Sequence, residues 1–145
     1  MSEYRRGSHT VYDLKYHVVW VTKYRYQVMQ GEIAIRTRDL IRQICQAREI
    51  LILKGHVSRD HVHLLVSAPP RMSVAQIVQY IKGKSSLQLQ REFPNLRKRY
   101  WGQHLWARGY FVASSGTVTD EMIKAYIEQQ DVPPDDGFRI ADEQL

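Results

Sequence analysis

Glu49-Ile50-Leu51-Ile52-Leu53-Lys54-Gly55-His56-Val57, followed by Ser58-Arg59-Asp60 and then His61-Val62-His63-Leu64-Leu65-Val66-Ser67, is the stretch on which the fold turns. Two apolar segments flank three polar residues, the pattern of an antiparallel hairpin with a short turn. Pro69-Pro70 then ends the sheet, because proline cannot donate to a ladder. Along the second segment successive side chains alternate faces. Val62, Leu64 and Val66 therefore share one side, and His61 and His63 share the other.

Upstream, Glu32 to Arg48 carries Ile33, Leu40, Ile41, Ile44 and Cys45 at helical spacing, with Arg36, Arg38 and Arg42 between them, which predicts an amphipathic helix. Before it, Tyr12 to Val21 reads as a strand with Leu14, Tyr16, Val18 and Trp20 of one parity, and Lys23-Tyr24-Arg25-Tyr26 leaves the sheet. Downstream, Ser73 and Gln76 form a capping box that opens a helix with Val74, Ile77, Val78 and Ile81 on its core face. The helical pattern runs through Lys82-Gly83-Lys84-Ser85-Ser86 and extends toward Phe93, where Pro94 stops it. His104 to Ser114 reads as the last strand, with Gly109 as a bulge or point of close approach. Ser114-Ser115-Gly116 is a joint before a final helix, about Thr117 to Gln130, closed by Pro133-Pro134. This order predicts an α+β, ferredoxin-like (RRM-like) sandwich: an antiparallel sheet covered by helices, with a tyrosine-bearing helix at the C-terminal end.

The 145 residues suit one domain, read here as residues 1–130, with 131–145 as an acidic tail. The single cysteine, Cys45, excludes an internal disulfide framework or a cysteine-rich zinc site. No apolar run approaches the roughly 20 residues that span a bilayer, and Met1 to Tyr12 is polar, so the expectation is a soluble, cytoplasmic protein with no membrane partner. The formal charge of +6 is uneven. From Asp131 onward five acids face one base, leaving 20 bases against 10 acids before it. That balance favours a polyanionic partner, since neutralising phosphates releases counterions, although basic surfaces are also common for solubility alone.

His61 and His63 lie about 6.6 Å apart along a strand, close enough to converge on one ion. A bare His-x-His arises often by chance, so a third ligand is needed. Tyr126 and Gln130 stand at i and i+4 on the final helix and therefore on one face, with Gln129 a near neighbour able to substitute. Two imidazoles and an amide oxygen make a neutral, hard set that suits Mg²⁺ or Mn²⁺ better than zinc. A phenol such as Tyr126 attacks only when a cation or base favours phenolate; alone, one of nine tyrosines would be read as packing. Lys82, Lys84, Ser85 and Ser86, the Lys23 to Arg25 segment, and Arg97-Lys98-Arg99 beside Tyr100 and Trp101 are the candidate phosphate and base contacts.

Taken together, Asp60-His61-Val62-His63-Leu64-Leu65, the run Tyr16-His17-Val18-Val19-Trp20-Val21-Thr22-Lys23-Tyr24-Arg25, the run Tyr80-Ile81-Lys82-Gly83-Lys84-Ser85-Ser86, and Tyr126 with Gln130 resemble the HUH single-tyrosine transposases. These move small insertion sequences as single-stranded DNA, and the resemblance covers roughly residues 10 to 130. It implies His61 and His63 as paired metal ligands, Gln130 as the third, and Tyr126 as the nucleophile that forms a 5′-phosphotyrosine and frees a 3′-OH. Asp60 matches the motif but receives no ligand role. The implied partners are single-stranded DNA, hairpins at element ends, and a second copy, since the family's dimer completes one subunit's histidine site with the other's tyrosine helix. Gly116 would permit such a placement. Two other readings share these residues: a domesticated relative that processes chromosomal palindromes, and a non-catalytic nucleic-acid-binding module with incidental histidines.

Overall fold

The computed structural model describes residues 4–114 and 120–129. A short ribbon, Arg5–Arg6 (β1) with Val11–Tyr12 (β2), precedes the strand Lys15–Val21 (β3) and a 3-10 turn at Lys23–Arg25. The helix Gly31–Ala47 (α1) follows, then the strands Leu51–Ser58 (β4) and His61–Ser67 (β5). The helices Val74–Glu92 (α2) and Pro94–Arg99 (α3), the strand Phe111–Ser114 (β6) and the helix Asp120–Gln129 (α4) complete the order.

The expected hairpin forms, with β4 and β5 antiparallel from Leu51 opposite Ser67 to Ser58 opposite His61. Arg59 and Asp60 alone make the turn, because Ser58 stays in the ladder. The sheet order is β4-β5-β3-β6, and β5 and β6 both pair antiparallel with β3. Each of α1 and α2 thus crosses from one strand to a strand two positions away, the split β-α-β arrangement of a ferredoxin-like sandwich. The α+β reading is correct.

Alternation decides where the core lies. Val18 and Trp20 of β3 and Val62, Leu64 and Val66 of β5 face Leu40, Ile41 and Ile44 of α1 and Ile77, Val78, Ile81 and Leu89 of α2 in one buried cluster. Each such side chain contributes roughly 1.5–3 kcal/mol by leaving water. Ser73 caps α2 reciprocally with Gln76, as the spacing predicts. Gly55 sits on the same face where a Cβ would meet Leu64 Cδ2 at 3.2 Å, so the helix side of the hairpin has no room for a larger residue.

The last strand is shorter than its pattern suggests. Phe111–Ser114 joins the ladder as a strand, a single antiparallel bridge pairs Trp106 with Thr22, and Gly109 at φ +92° turns the chain between them. Residues 103–109 divide their backbone hydrogen bonds between the end of β3 and α2: the Leu105 carbonyl accepts from Lys23 N–H and Ala107 N–H donates to the Val21 carbonyl. Ser86 Oγ accepts from Leu105 N–H, the Gln90 amide donates to the Gln103 carbonyl, and Lys82 Nζ donates to the carbonyls of Ala107 and Gly109. Among the described residues no helix is long and apolar enough to cross a membrane.

Candidate active site

The face of the sheet turned away from α1 and α2 is where the chemistry-bearing side chains collect. His61 and His63 project from β5 opposite the buried Val62 and Leu64. Across the ladder His63 pairs with Val19 on one side and with His56 on the other, and His61 pairs with Val21. Side chains of paired residues share a face, so His56 joins the row. His17, two positions before Val19, joins it too: its Nδ1 lies 3.0 Å from Nε2 of His63, one ring donating and the other accepting. Burial, helped by the positive neighbour Lys54, holds His17 below the usual histidine range. Burial does the same for His63, reinforced by His17, His61 and His56 and opposed by Asp120. Both rings are therefore biased toward the neutral form, the one that has a lone pair to offer a cation.

Asp60 closes one end of this row. It is only 1% exposed although it sits in a hairpin turn. Its Oδ1 accepts from His61 Nδ1 at 2.9 Å and its Oδ2 accepts from Arg25 Nε at 3.2 Å. Arg25 and the preceding Tyr24 both hold left-handed backbone, at φ +55° and +61°.

Helix α4 packs on this same face of β3. Ile123 and Ile127, at i and i+4, pack with Val19 and Val21 of the same chain in a second small core. Tyr126 is half-buried beside them, its ring 5.7 Å from that of Phe111. Phe111 pairs with Val19, which pairs with His63. Phe111 thus lies two strand spacings, about 10 Å, from His63, and Tyr126 packs against it on the same face of the sheet. Gln129 ends α4 and is exposed, while Gln130, Ser115 and Gly116 lie outside the described residues. The placement of α4 is against its own sheet.

The expected DNA-contacting residues separate into two groups. Lys23 and Arg97 line an open groove of about 1050 Å³ with Arg91, His104 and Arg108, between α2, α3 and residues 102–108. Lys84 and Lys98 are exposed, Lys84 lying 5.1 Å over the Tyr80 ring, and Arg99 stacks 4.0 Å over Tyr26. Arg25 is turned to Asp60. Ser85 lies inside, away from any phosphate, while Lys82 and Ser86 line the same groove with hydrogen bonds already made to the fold. Ser85 is 0% exposed and accepts from Trp106 Nε1, Ser86 is buried between Gln90 and Leu105, and the Lys82 ammonium is used on two backbone carbonyls. Burial draws Lys82 down to about 8. Tyr100 is likewise inside, donating to the Lys23 carbonyl, whereas Trp101 is 88% exposed.

A family model described as IS200-like transposase matches residues 10–130, the whole span that contains the histidine row and Tyr126. The chain belongs to the IS200-like transposase family. It is 37% identical over 130 residues to the transposase of insertion sequence element IS200 from Salmonella typhimurium, covering 90% of this chain and 85% of that one. It is 36% identical over 128 residues to the ISDra2 transposase TnpA of Deinococcus radiodurans, covering 88% and 91%. A crystal structure from Deinococcus radiodurans assigned as a transposase superposes with a TM-score of 0.82 at 35% identity, covering 89% and 99%. A REP-associated tyrosine transposase, solved bound to a REP hairpin, shares the fold at a TM-score of 0.52 and 16% identity, covering 88% and 69%. This IS200-like chain is accordingly an enzyme acting on DNA in transposition.

In this IS200-like transposase, sequence reasoning missed His17, Asp60 and Arg25 as partners of the paired histidines. The parity of β3 does place His17 opposite Val18 and Trp20, but only the register with β5 brings it to His63. For the divalent cation that the family resemblance implies, two neutral imidazoles on one face are a fitting donor pair. Among the described residues no group of three or more His, Cys, Asp or Glu could hold a metal alone.

Proposed function

We propose that this transposase cuts and rejoins single-stranded DNA at insertion-sequence ends, with Tyr126 as nucleophile and a divalent cation, Mg²⁺ or Mn²⁺, held by His61, His63 and Gln130. The observation that carries the reading is that α4 lays the Tyr126 phenol on the same face of the sheet as both histidines. The Tyr126 Oη attacks phosphorus, the bond to the 3′ oxygen breaks, and that oxygen leaves as a 3′-OH after taking up a proton. The phenolic proton passes to solvent or base. The 5′-phosphate stays esterified to Tyr126, so attack by another 3′-OH rejoins the strand without a nucleotide cofactor. The cation, when bound, neutralises charge on the scissile phosphate. His61 and His63 orient it, and Phe111 fixes the plane of the attacking ring.

The groove lined by Lys23, Arg91, Arg97 and Arg108, together with Trp101, exposed just beyond the end of α3, is the surface this reading gives to the DNA. Cations track a backbone and an aromatic face takes a base. A hairpin as substrate is favoured by the fold neighbour solved with a REP hairpin. Labelled single-stranded hairpins incubated with Mn²⁺ and run on a denaturing gel test it. Cleavage by the wild type that is lost in Tyr126→Phe and in the double variant His61→Ala, His63→Ala, with hairpin binding retained, is the expected result. Cleavage that survives either change refutes the assignment.

A further inference from the structure

The aspartate in the β4–β5 turn does more than shape a hairpin. A charged residue at a two-residue loop tip ordinarily faces water. Asp60 is instead buried because the turn is clamped by the chain that follows β3: its carbonyl accepts from Thr22 N–H at 2.9 Å, and the Arg59 carbonyl accepts from Met29 N–H at 2.9 Å. The side chain is then committed on both oxygens, Oδ2 to the guanidinium of Arg25 and Oδ1 to the ring of His61. A carboxylate only accepts, and a guanidinium only donates. His61 must therefore carry a proton on Nδ1, so that in the neutral ring the lone pair is on Nε2.

The other end of this chain of contacts is strained. Two consecutive non-glycine residues, Tyr24 and Arg25, hold positive φ, a conformation that persists only where surroundings over-determine it. Arg25 is fixed by its N–H to the Thr22 carbonyl at 2.9 Å and by its ion pair with Asp60, in which both side chains are largely shielded from water. Lys23, at the start of the same turn, lines the basic groove. One three-residue turn thus touches the groove and the residue that holds His61.

We propose that Asp60 is a positioning residue for the cation site, locking His61 in the Nδ1–H tautomer so that Nε2 alone faces the ion, with Arg25 holding the carboxylate in register. This rests on His61 being a cation ligand. Partners that orient a metal-binding histidine in this way typically matter about 10- to 100-fold in metal affinity.

Mn²⁺ titration of the full chain followed by electron paramagnetic resonance, together with long-range ¹⁵N–¹H spectra of the histidine rings in the metal-free protein, tests it. Wild type should show His61 in the Nδ1–H form. Asp60→Asn, whose amide can donate to Nδ1 as well as accept, should show mixed tautomers and Mn²⁺ affinity reduced about 10- to 100-fold. Should that variant not fold, Arg25→Gln keeps the carboxylate and frees it from its clamp, and a several-fold loss of Mn²⁺ affinity is expected. Unchanged tautomer and affinity in Asp60→Asn, or unchanged affinity in Arg25→Gln where that variant stands in, overturns the proposal. His61→Ala separates the two levels. If it binds Mn²⁺ as well as wild type, the ligand assignment fails and this proposal with it; if it loses Mn²⁺ while the Asp60 and Arg25 variants do not, only the positioning role fails.

Discussion

The ring of Tyr126 lies 5.7 Å from that of Phe111 with the two planes inclined at 49°. Because Phe111 pairs with Val19 and Val19 with His63, this contact sets the tyrosine on the same face of the sheet as the histidines. Only Ile123 and Ile127 anchor α4 into a buried cluster among the described residues, so the position of the phenol rests on a small interface. Ile127→Ala should weaken that docking by roughly 2–5 kcal/mol. The helix would then detach while the main core stays folded, because α1 and α2 pack on the opposite face. Hydrogen exchange should rise selectively across 120–129 and cleavage should fall with hairpin affinity intact; exchange spread evenly over β3 and β5 would refute the separation.

A second expectation concerns proton uptake. His17 and His63 are both held below the ordinary value of 6.5 in the fold, chiefly by burial. The unfolded chain then binds more protons than the folded one between those lowered values and 6.5. Stability contributed by the neutral pair is present above about pH 6.5 and is lost as pH falls through the folded-state values. Thermal midpoints of the metal-free chain should therefore drop between pH 7 and 5 more steeply than those of His17→Phe. Parallel curves would contradict the shared burial.

Trp101 is 88% exposed, so packing cannot explain it. Base–aromatic stacking is worth about 1–3 kcal/mol per base. Trp101→Ala should weaken single-strand binding by roughly fivefold to a hundredfold and leave the melting temperature unchanged. A drop in melting temperature with affinity preserved would assign the ring to the fold.

Lys82 and Arg97 share a groove and differ in use. Arg97→Ala should lower the slope of log affinity against log salt by about 0.7, the value for one phosphate contact on a single strand. Lys82→Met strips donors from the carbonyls of Ala107 and Gly109, and should lower the melting temperature with the salt slope unaltered. The reverse pattern would exchange the roles assigned to these two cations.

Much of this was legible locally. The hairpin, the capping box at Ser73 and the separation of His61 and His63 from Val62 and Leu64 follow from short-range period and turn chemistry, and all appear in the fold. What was not legible depends on partners far along the chain. The segment from His104 has the composition of a strand, yet it meets β3 first at a single bridge between Trp106 and Thr22, takes further hydrogen bonds from α2 side chains, and pairs as a strand over its last four residues. Lys82 to Ser86 looks like a phosphate-binding run, but Ser85 follows Val78 and Ile81 at i+7 and i+4, on the stripe that faces the core. That spacing was available in the sequence and outweighs composition. Asp60 to Arg25 and His17 to His63 join residues 35 and 46 positions apart, and neither contact has a local signal.

The covalent step is the centre of the account, and it leaves a mark on one side chain. The most direct measurement is mass spectrometry of the protein–DNA adduct formed with Mn²⁺ and a single-stranded hairpin, after nuclease and protease digestion. The account predicts a nucleotide joined through its 5′-phosphate to Tyr126. A phosphotyrosine at any other tyrosine, or cleaved DNA with no adduct, would contradict it.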